Sequence, residues 1–206
     1  MVKKAILLAG GMGTRLRPFT YYTSKHLLPV FNQPMIFYPL TNLMLMGVKS
    51  VCIIINKHHK DQWIQLFNSL NLNIEITFVE QEKPEGIPQA ITLCETFINN
   101  ENFYLALGDN ILLASGLLNR FVNIIKDNPK DSVIIGYPVP NPSEFGVADF
   151  DREGNLKRVV EKPSERISDI AIVGLYKFDG QSVDFARSLK KSPRGEYEIS
   201  DIINLY

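Results

Sequence analysis

Five short apolar runs, with stretches of helical spacing between them, constrain this chain more than any other feature. The runs are Lys4–Ala9, Val51–Ile55, Ile74–Val79, Phe103–Leu107 and Val133–Pro138. Each is nearly continuous in apolar character, the pattern of a strand covered on both faces. Between the first two, Met35, Leu40, Leu43 and Met44 recur on one helical face, with Pro34 suited to a first turn and Gly47 to a stop. Lys60–Leu70 carries Trp63, Leu66, Phe67 and Leu70 at the same spacing, and Pro88–Ile98 and Leu117–Lys126 follow it. Strands alternating with helices predict an α/β fold around a mostly parallel sheet.

After Pro142 the texture changes. Gly146–Asp149, Leu156–Glu161 and Ile170–Phe178 are shorter strand-like pieces, and Asp151-Arg152-Glu153-Gly154-Asn155 is a hairpin signal. These predict an antiparallel addition to the same sheet, and Glu198–Tyr206 reads as a helix. The expected architecture is three-layered and Rossmann-like, with helices on both sheet faces. No linker, repeat or low-complexity segment divides residues 1–206, so the chain reads as one domain.

Composition excludes several classes. With 206 residues, 45% hydrophobic and 21% charged, the chain is neither a disordered tail nor a disulfide scaffold. A chain of this length buries roughly 70% of its unfolded surface. Its 22 basic and 22 acidic residues cancel, which argues against a partner such as a nucleic-acid backbone. No apolar run is long enough to span a membrane, and the apolar run after Lys3-Lys4 is too short for a signal peptide. Cys52 and Cys94 read as reduced core thiols, with a bridge as the alternative. The expected compartment is the cytoplasm.

The turn after the first strand reads Leu8-Ala9-Gly10-Gly11-Met12-Gly13-Thr14-Arg15-Leu16. Glycines there let backbone approach a ligand, and successive N–H groups can form an anion nest. Ligands of open α/β sheets bind at this edge. A tight turn needing glycine only for its dihedrals is equally open from the residues alone. Thr14-Arg15 does not complete a Walker A loop, and Leu16 replaces the third glycine of a dinucleotide fingerprint. Arg15 and Lys25 supply cations suited to a triphosphate.

The block from Gly10 to Pro18, then Thr20 and Lys25-His26-Leu27-Leu28-Pro29-Val30, resembles the signature of sugar-1-phosphate nucleotidyltransferases, and among them the glucose-1-phosphate thymidylyltransferases. The resemblance continues through Gln33–Leu40, Gly86-Ile87-Pro88-Gln89-Ala90, Leu107-Gly108-Asp109-Asn110, Phe145-Gly146-Val147, Glu161-Lys162-Pro163, Val173-Gly174-Leu175-Tyr176 and Arg194–Asp201. It implies a nucleotide-binding part over about 1–110 and a sugar-phosphate-binding part over about 111–206. Leu8, Gly10, Gly11, Gly13, Thr14, Gln81 and Gly86 would bind the nucleotide, with Gln81 against the base. Gly146, Glu161, Lys162 and Val173 would bind the sugar phosphate. Arg15, Lys25, Lys162 and Arg194 would be catalytic, and Asp109 would hold Mg²⁺.

Each position also has a plainer explanation. Asp109 could cap the next helix, and Gln81 could be a surface amide. Glu161 and Lys162 could be solvated, pointing to opposite faces of a regular strand unless Pro163 breaks it. Arg194 could be a loop charge, and Tyr176 is lining at best. His26, His58 and His59 lack metal-ligand spacing and read as surface residues.

The resemblance implies Mg²⁺-dependent transfer of a thymidylyl group from dTTP to glucose-1-phosphate, giving dTDP-glucose for surface-polysaccharide biosynthesis. A nucleotide-binding homologue with little catalysis, and a transferase using UTP or CTP, are the alternatives. Pro88 and Phe145 depart from the family pattern, where a small residue and a tyrosine are common. Family members continue past the position of Tyr206 with a second metal-binding aspartate, and then with helices that serve oligomer contacts. A homo-oligomer is therefore expected where that region is present.

Overall fold

The computed structural model describes residues 2–113 and 115–206. In chain order the strands are β1 (Lys4–Ala9), β2 (Pro29–Val30), β3 (Gln33–Pro34), β4 (Ser50–Asn56), β5 (Glu75–Gln81), β6 (Phe103–Leu107), β7 (Val133–Pro138), β8 (Gly146–Phe150), β9 (Leu156–Glu161) and β10 (Ile170–Phe178). The helices are α1 (Phe37–Leu45), α2 (Lys60–Asn68), α3 (Ile87–Leu93), α4 (Glu95–Ile98), α5 (Leu117–Asp127), α6 (Ser182–Ser188) and α7 (Ile199–Leu205).

The main sheet has the order β5-β4-β1-β6-β10-β8-β9, with β7 on the free side of β10. β1 pairs in parallel with β4 and β6, and β4 with β5. β10 enters antiparallel beside β6, and β7 and β8 pair antiparallel with it in turn. Only β9 and β10 therefore oppose the common direction, so the sheet is mostly parallel with an antiparallel extension. β2 and β3 form a separate small hairpin.

Side-chain alternation builds the three layers. Ala5, Leu7, Val51, Ile53, Tyr104 and Ala106 face one cluster, where Leu40, Leu43, Trp63, Phe67, Phe121 and Ile125 of α1, α2 and α5 cover them. Ile6, Cys52, Ile54, Phe103 and Leu105 face the other, beneath Ala90, Ile91, Ile98, Val183, Ala186 and Ile202 of α3, α4, α6 and α7. Continuous apolar runs fill both faces because successive side chains point to opposite sides. Truncating one fully buried residue such as Ile54 to alanine would cost about 2–5 kcal/mol.

Four local expectations need correcting. Pro34 lies in β3, and α1 begins only at Phe37. The stretch Pro88–Ile98 is two helices, divided at Cys94. β5 is an edge strand, with Glu75 and Thr77 exposed on one side. β7 is not covered on both faces, because its second half is exposed. Cys52 and Cys94 are buried free thiols with Sγ atoms 3.2 Å apart. No helix among the described residues is long and apolar enough to cross a membrane.

Candidate active site

The carboxyl ends of β1, β5 and β6 open into a cleft of about 280 Å³. Leu8, Gly10, Gly11, Lys25, Gln81, Gly86 and Asp109 line it, so most of the expected nucleotide residues converge there. His26, Pro84 and Glu196 join them.

The glycines serve both purposes left open by the sequence. Gly13 has φ 60, a left-handed conformation that a side chain disfavours. Its carbonyl accepts the Thr20 hydroxyl at 2.8 Å. Gly10 is needed for clearance, because a Cβ there would meet Gln81 Oε1 at 2.3 Å. Gly11 faces Lys25, whose Cε would stand 3.5 Å from an added Cβ. Gly86 satisfies both demands: its φ is 110, and a Cβ would sit 2.0 Å from the Tyr197 carbonyl oxygen.

Gln81 is not a surface amide. It is 5% exposed at the end of β5, and its Nε2 donates to Gln89 Oε1 at 2.6 Å. Asp109 is not a helix cap, since the next helix starts at Leu117 with Gly116 at its N-cap. Instead its carboxylate accepts from Lys25 Nζ. Burial opposes ionisation, but the Lys25 hydrogen bond and charge hold the Asp109 carboxyl below the usual carboxylate range.

His26 corrects the surface assignment of the histidines. It is 2% exposed, with Nδ1 3.2 Å from the Ser24 hydroxyl. Burial, reinforced by the neighbouring Lys25 charge, brings its pKa from 6.5 to about 4. A neutral imidazole packed below Gly108 adds no second cation beside Lys25. His58 is exposed and His59 half-buried.

Thr14 and Arg15 form a 3-10 turn at the rim, where both are exposed. Arg15 has no ion pair among the described residues. The sequence places it near the glycines, but the geometry does not bring it into the cleft lining.

Of the expected sugar-side residues, Gly146, Glu161 and Arg194 gather in a separate group. Gly146 and Glu161 are opposite each other across the β8–β9 pair, and a Cβ on Gly146 would lie 3.2 Å from Glu161 Oε2. β9 ends at Glu161, and Lys162 turns to φ 41 before Pro163 while its N–H donates to the Phe145 carbonyl at 2.9 Å. The regular-strand geometry that would separate the two side chains is therefore absent. Val173 is half-buried where the β10–β7 register shifts. Tyr176 is core: it is 3% exposed and stacked on Phe178.

Arg194 is not a solitary loop charge. Its guanidinium lies 3.1 Å from Glu161, 3.3 Å from Glu198 and 3.5 Å from Glu196. Burial, then the nearby Glu198 charge, raises the Glu161 pKa despite Arg194 and Lys162. Because Glu196 also lines the nucleotide cleft, the Arg194–Glu196 pair links the two groups. A second link is the parallel bridge Gly86–Tyr197, where Tyr197 N–H donates to the Glu85 carbonyl at 2.8 Å. Nothing in the sequence assigns a role to Glu85, Gln89, Glu196 or Glu198. Gln89, Glu196 and Glu198 lie in motif blocks, but for Gln89 only its contact with Gln81 reveals its place.

The donor set tests the expected metal. Among the described residues no three His, Cys, Asp or Glu side chains cluster as metal ligands. Two carboxylates line the cleft, Asp109 and Glu196, and Asp109, held below the usual carboxylate range, is the one beside Lys25. This fits Mg²⁺, an ion commonly held by one or two carboxylates and substrate phosphates.

Residues 4–206 match the family model described as nucleotidyl transferase. Glucose-1-phosphate thymidylyltransferase of Xanthomonas campestris pv. campestris is 40% identical over 206 residues, covering 99% of this chain and 69% of the relative. The Mycobacterium tuberculosis enzyme of the same name is 40% identical over 98% of this chain and 70% of its own. A crystal structure described as a glucose-1-phosphate thymidylyltransferase from Bacillus anthracis, in complex with a sucrose, superposes with TM-score 0.89 at 35% identity. That match covers 100% of this chain and 82% of the other. UDP-glucose pyrophosphorylase complexed with UDP-glucose shares the fold, with TM-score 0.90 at 23% identity over 100% and 86% of the two chains. By sequence and by fold, the chain belongs to the nucleotidyl transferase family.

Proposed function

We propose that the chain transfers a thymidylyl group from dTTP to glucose-1-phosphate, releasing pyrophosphate and giving dTDP-glucose. The observation that carries this reading is the convergence of Gly10, Gly11, Lys25, Gln81 and Asp109 in one cleft at the carboxyl ends of parallel strands. Backbone amides, one cation, one carboxylate and one buried amide match a nucleotide's phosphates and base.

In this reading the phosphate oxygen of the sugar phosphate forms a bond to the α-phosphorus. The bond from that phosphorus to the bridging oxygen breaks, and the electron pair leaves with pyrophosphate. Arg15 and Lys25 hold the triphosphate and stabilise charge moving onto the leaving group. Lys162 and Arg194 reduce the repulsion between two anionic substrates, and Glu161 takes sugar hydroxyls beside Gly146 and Val173. Arg194 must share itself with three carboxylates, so it also orients Glu161. Asp109 would hold Mg²⁺, which supplies further charge compensation to the phosphates when bound. Residues of about 1–110 serve the nucleotide and those of about 111–206 the sugar phosphate, within one domain.

UTP is the second reading, because the Gln81 amide meets a base edge that uracil and thymine share. The test is to incubate the 206-residue chain with Mg²⁺, glucose-1-phosphate and each nucleoside triphosphate, and to measure pyrophosphate. Turnover with dTTP above the others supports the first reading, and turnover with UTP above dTTP supports the second. Nucleotide binding without turnover rejects both in favour of a binding homologue.

A further inference from the structure

Gln81 is held by a short relay whose two ends permit one orientation only. At one end the Glu85 backbone N–H, which can only donate, donates to Gln89 Oε1 at 3.0 Å. At the other the Glu85 carboxylate, which can only accept, takes Gln89 Nε2 on Oε2 at 3.2 Å. The oxygen and nitrogen of the Gln89 amide are thereby distinguished. Its oxygen then accepts Gln81 Nε2 at 2.6 Å, using its second lone pair. Gln81 Oε1 is left facing Gly10, in the space a Cβ would fill. Glu85 is itself anchored, because Lys191 Nζ pairs with its other carboxylate oxygen at 2.5 Å.

From this relay we infer that Gln89 is a positioning residue, which holds the Gln81 amide in the one orientation that tells a pyrimidine bearing an N3–H from cytosine. The inference rests on the proposed reading that the cleft takes a pyrimidine nucleotide. A fixed carbonyl oxygen accepts the N3–H of thymine or uracil. Cytosine presents a bare N3 lone pair at that position, so acceptor would face acceptor. A freely rotating amide would serve both bases by turning over. Gln89 prevents that turn, because a reversed Gln81 would aim its oxygen at the oxygen of Gln89. Selection therefore depends on a residue that need not touch the base.

The test compares binding of dTTP and dCTP by calorimetry, with melting temperature recorded for every protein. Gln89→Met keeps the chain length and helical propensity but removes the acceptor. The dTTP-to-dCTP affinity ratio is expected to fall about ten- to hundredfold, the range for one correctly paired base contact. Gln89→Glu retains an acceptor for both Gln81 and the Glu85 N–H, and is expected to keep the ratio near wild type even though its charge faces Glu85. An unchanged ratio in a Gln89→Met protein that melts normally overturns the relay alone, as does equal loss of selectivity in both variants. A wild-type chain that binds neither nucleotide overturns the functional reading and the relay with it.

Discussion

Lys25 Nζ donates to Asp109 Oδ2, joining the loop after β1 to the end of β6 across the mouth of the cleft. The two residues are 84 positions apart, and the parallel pairing of β1 with β6 brings them together. Both side chains remain partly open to solvent, with 23% and 40% of their side-chain surfaces exposed. Pairs of this kind contribute about 0–1 kcal/mol to stability. Their charges matter more for the phosphates that the cleft would hold.

Lys25→Met and Asp109→Asn are therefore expected to leave the melting temperature within about 4 °C of wild type, since a small loss of stability moves a domain of this size little. Turnover should fall about 10²–10³-fold in each, the usual loss when one charge-stabilising group is removed. The double variant should lose less than the product of the two, because the residues act on the same charges. Kinetics of pyrophosphate release check this, and full additivity would show that the two groups work independently.

His26 gives the fold a dependence on pH. Burial and the Lys25 charge bring its pKa to about 4, from 6.5. Lys25 and Asp109 are the charged groups that act on it, and Asp109 works in the opposite sense. Between those values the unfolded chain takes up a proton that the folded chain refuses. The contribution is complete above pH 6.5 and is lost progressively as pH falls toward 4. At 1.36 kcal/mol per unit the full effect is roughly 3 kcal/mol. Denaturant unfolding in metal-free buffer between pH 7.5 and 4 should show this decline, and His26→Gln should flatten it. A decline of the same slope in His26→Gln would assign it to other groups.

The parallel half of the fold was legible because its signal is local. β1 and β6 carry continuous apolar runs and are flanked on both sides in the sheet, so periodicity and burial agree there. The misassigned segments are those where position in the sheet decides. Ile74–Val79 looked buried, yet β5 lies at the edge. Pro34 suited a helix start, but the register Pro29–Pro34 placed it in a hairpin. At the site, Gly10 and Asp109 announced themselves by residue type and motif. His26 and Gln89 did not, because an imidazole beside a lysine in sequence says nothing of its burial. A glutamine on a helix likewise says nothing of the amide it meets across a loop. Those facts depend on contacts such as Gln81 with Gln89 and Gly108 with His26, which only the folded chain brings together.

Arg15 stands at the rim, exposed and without an ion pair among the described residues, so its removal should not disturb packing. Arg15→Ala is expected to fold with an unchanged melting temperature and to lose about 10²–10³-fold in turnover. Near-wild-type turnover would remove Arg15 from the triphosphate site.

Lys162 presents the opposite balance of fold and function. It is not a glycine, yet φ is 41, and the following proline narrows its choices further. A left-handed conformation costs about 1–2 kcal/mol for a residue with a side chain. Lys162 is exposed, so no burial of its side chain offsets that cost. The backbone is held there by its N–H donating to the Phe145 carbonyl and by the end of β9. Strain kept at an exposed lysine is explained if the turn aims the ammonium at the sugar phosphate beside Glu161. Lys162→Gly removes the strain but also loosens the unfolded chain, so stability should change by less than about 1 kcal/mol, with no large loss. Lys162→Ala keeps the strain and should be no more stable than wild type. Both variants should raise the KM for glucose-1-phosphate at least tenfold while leaving dTTP affinity unchanged. If Lys162→Gly and Lys162→Ala both bind and turn over glucose-1-phosphate normally, the strain belongs to the β9 turn alone and Lys162 has no part in the site.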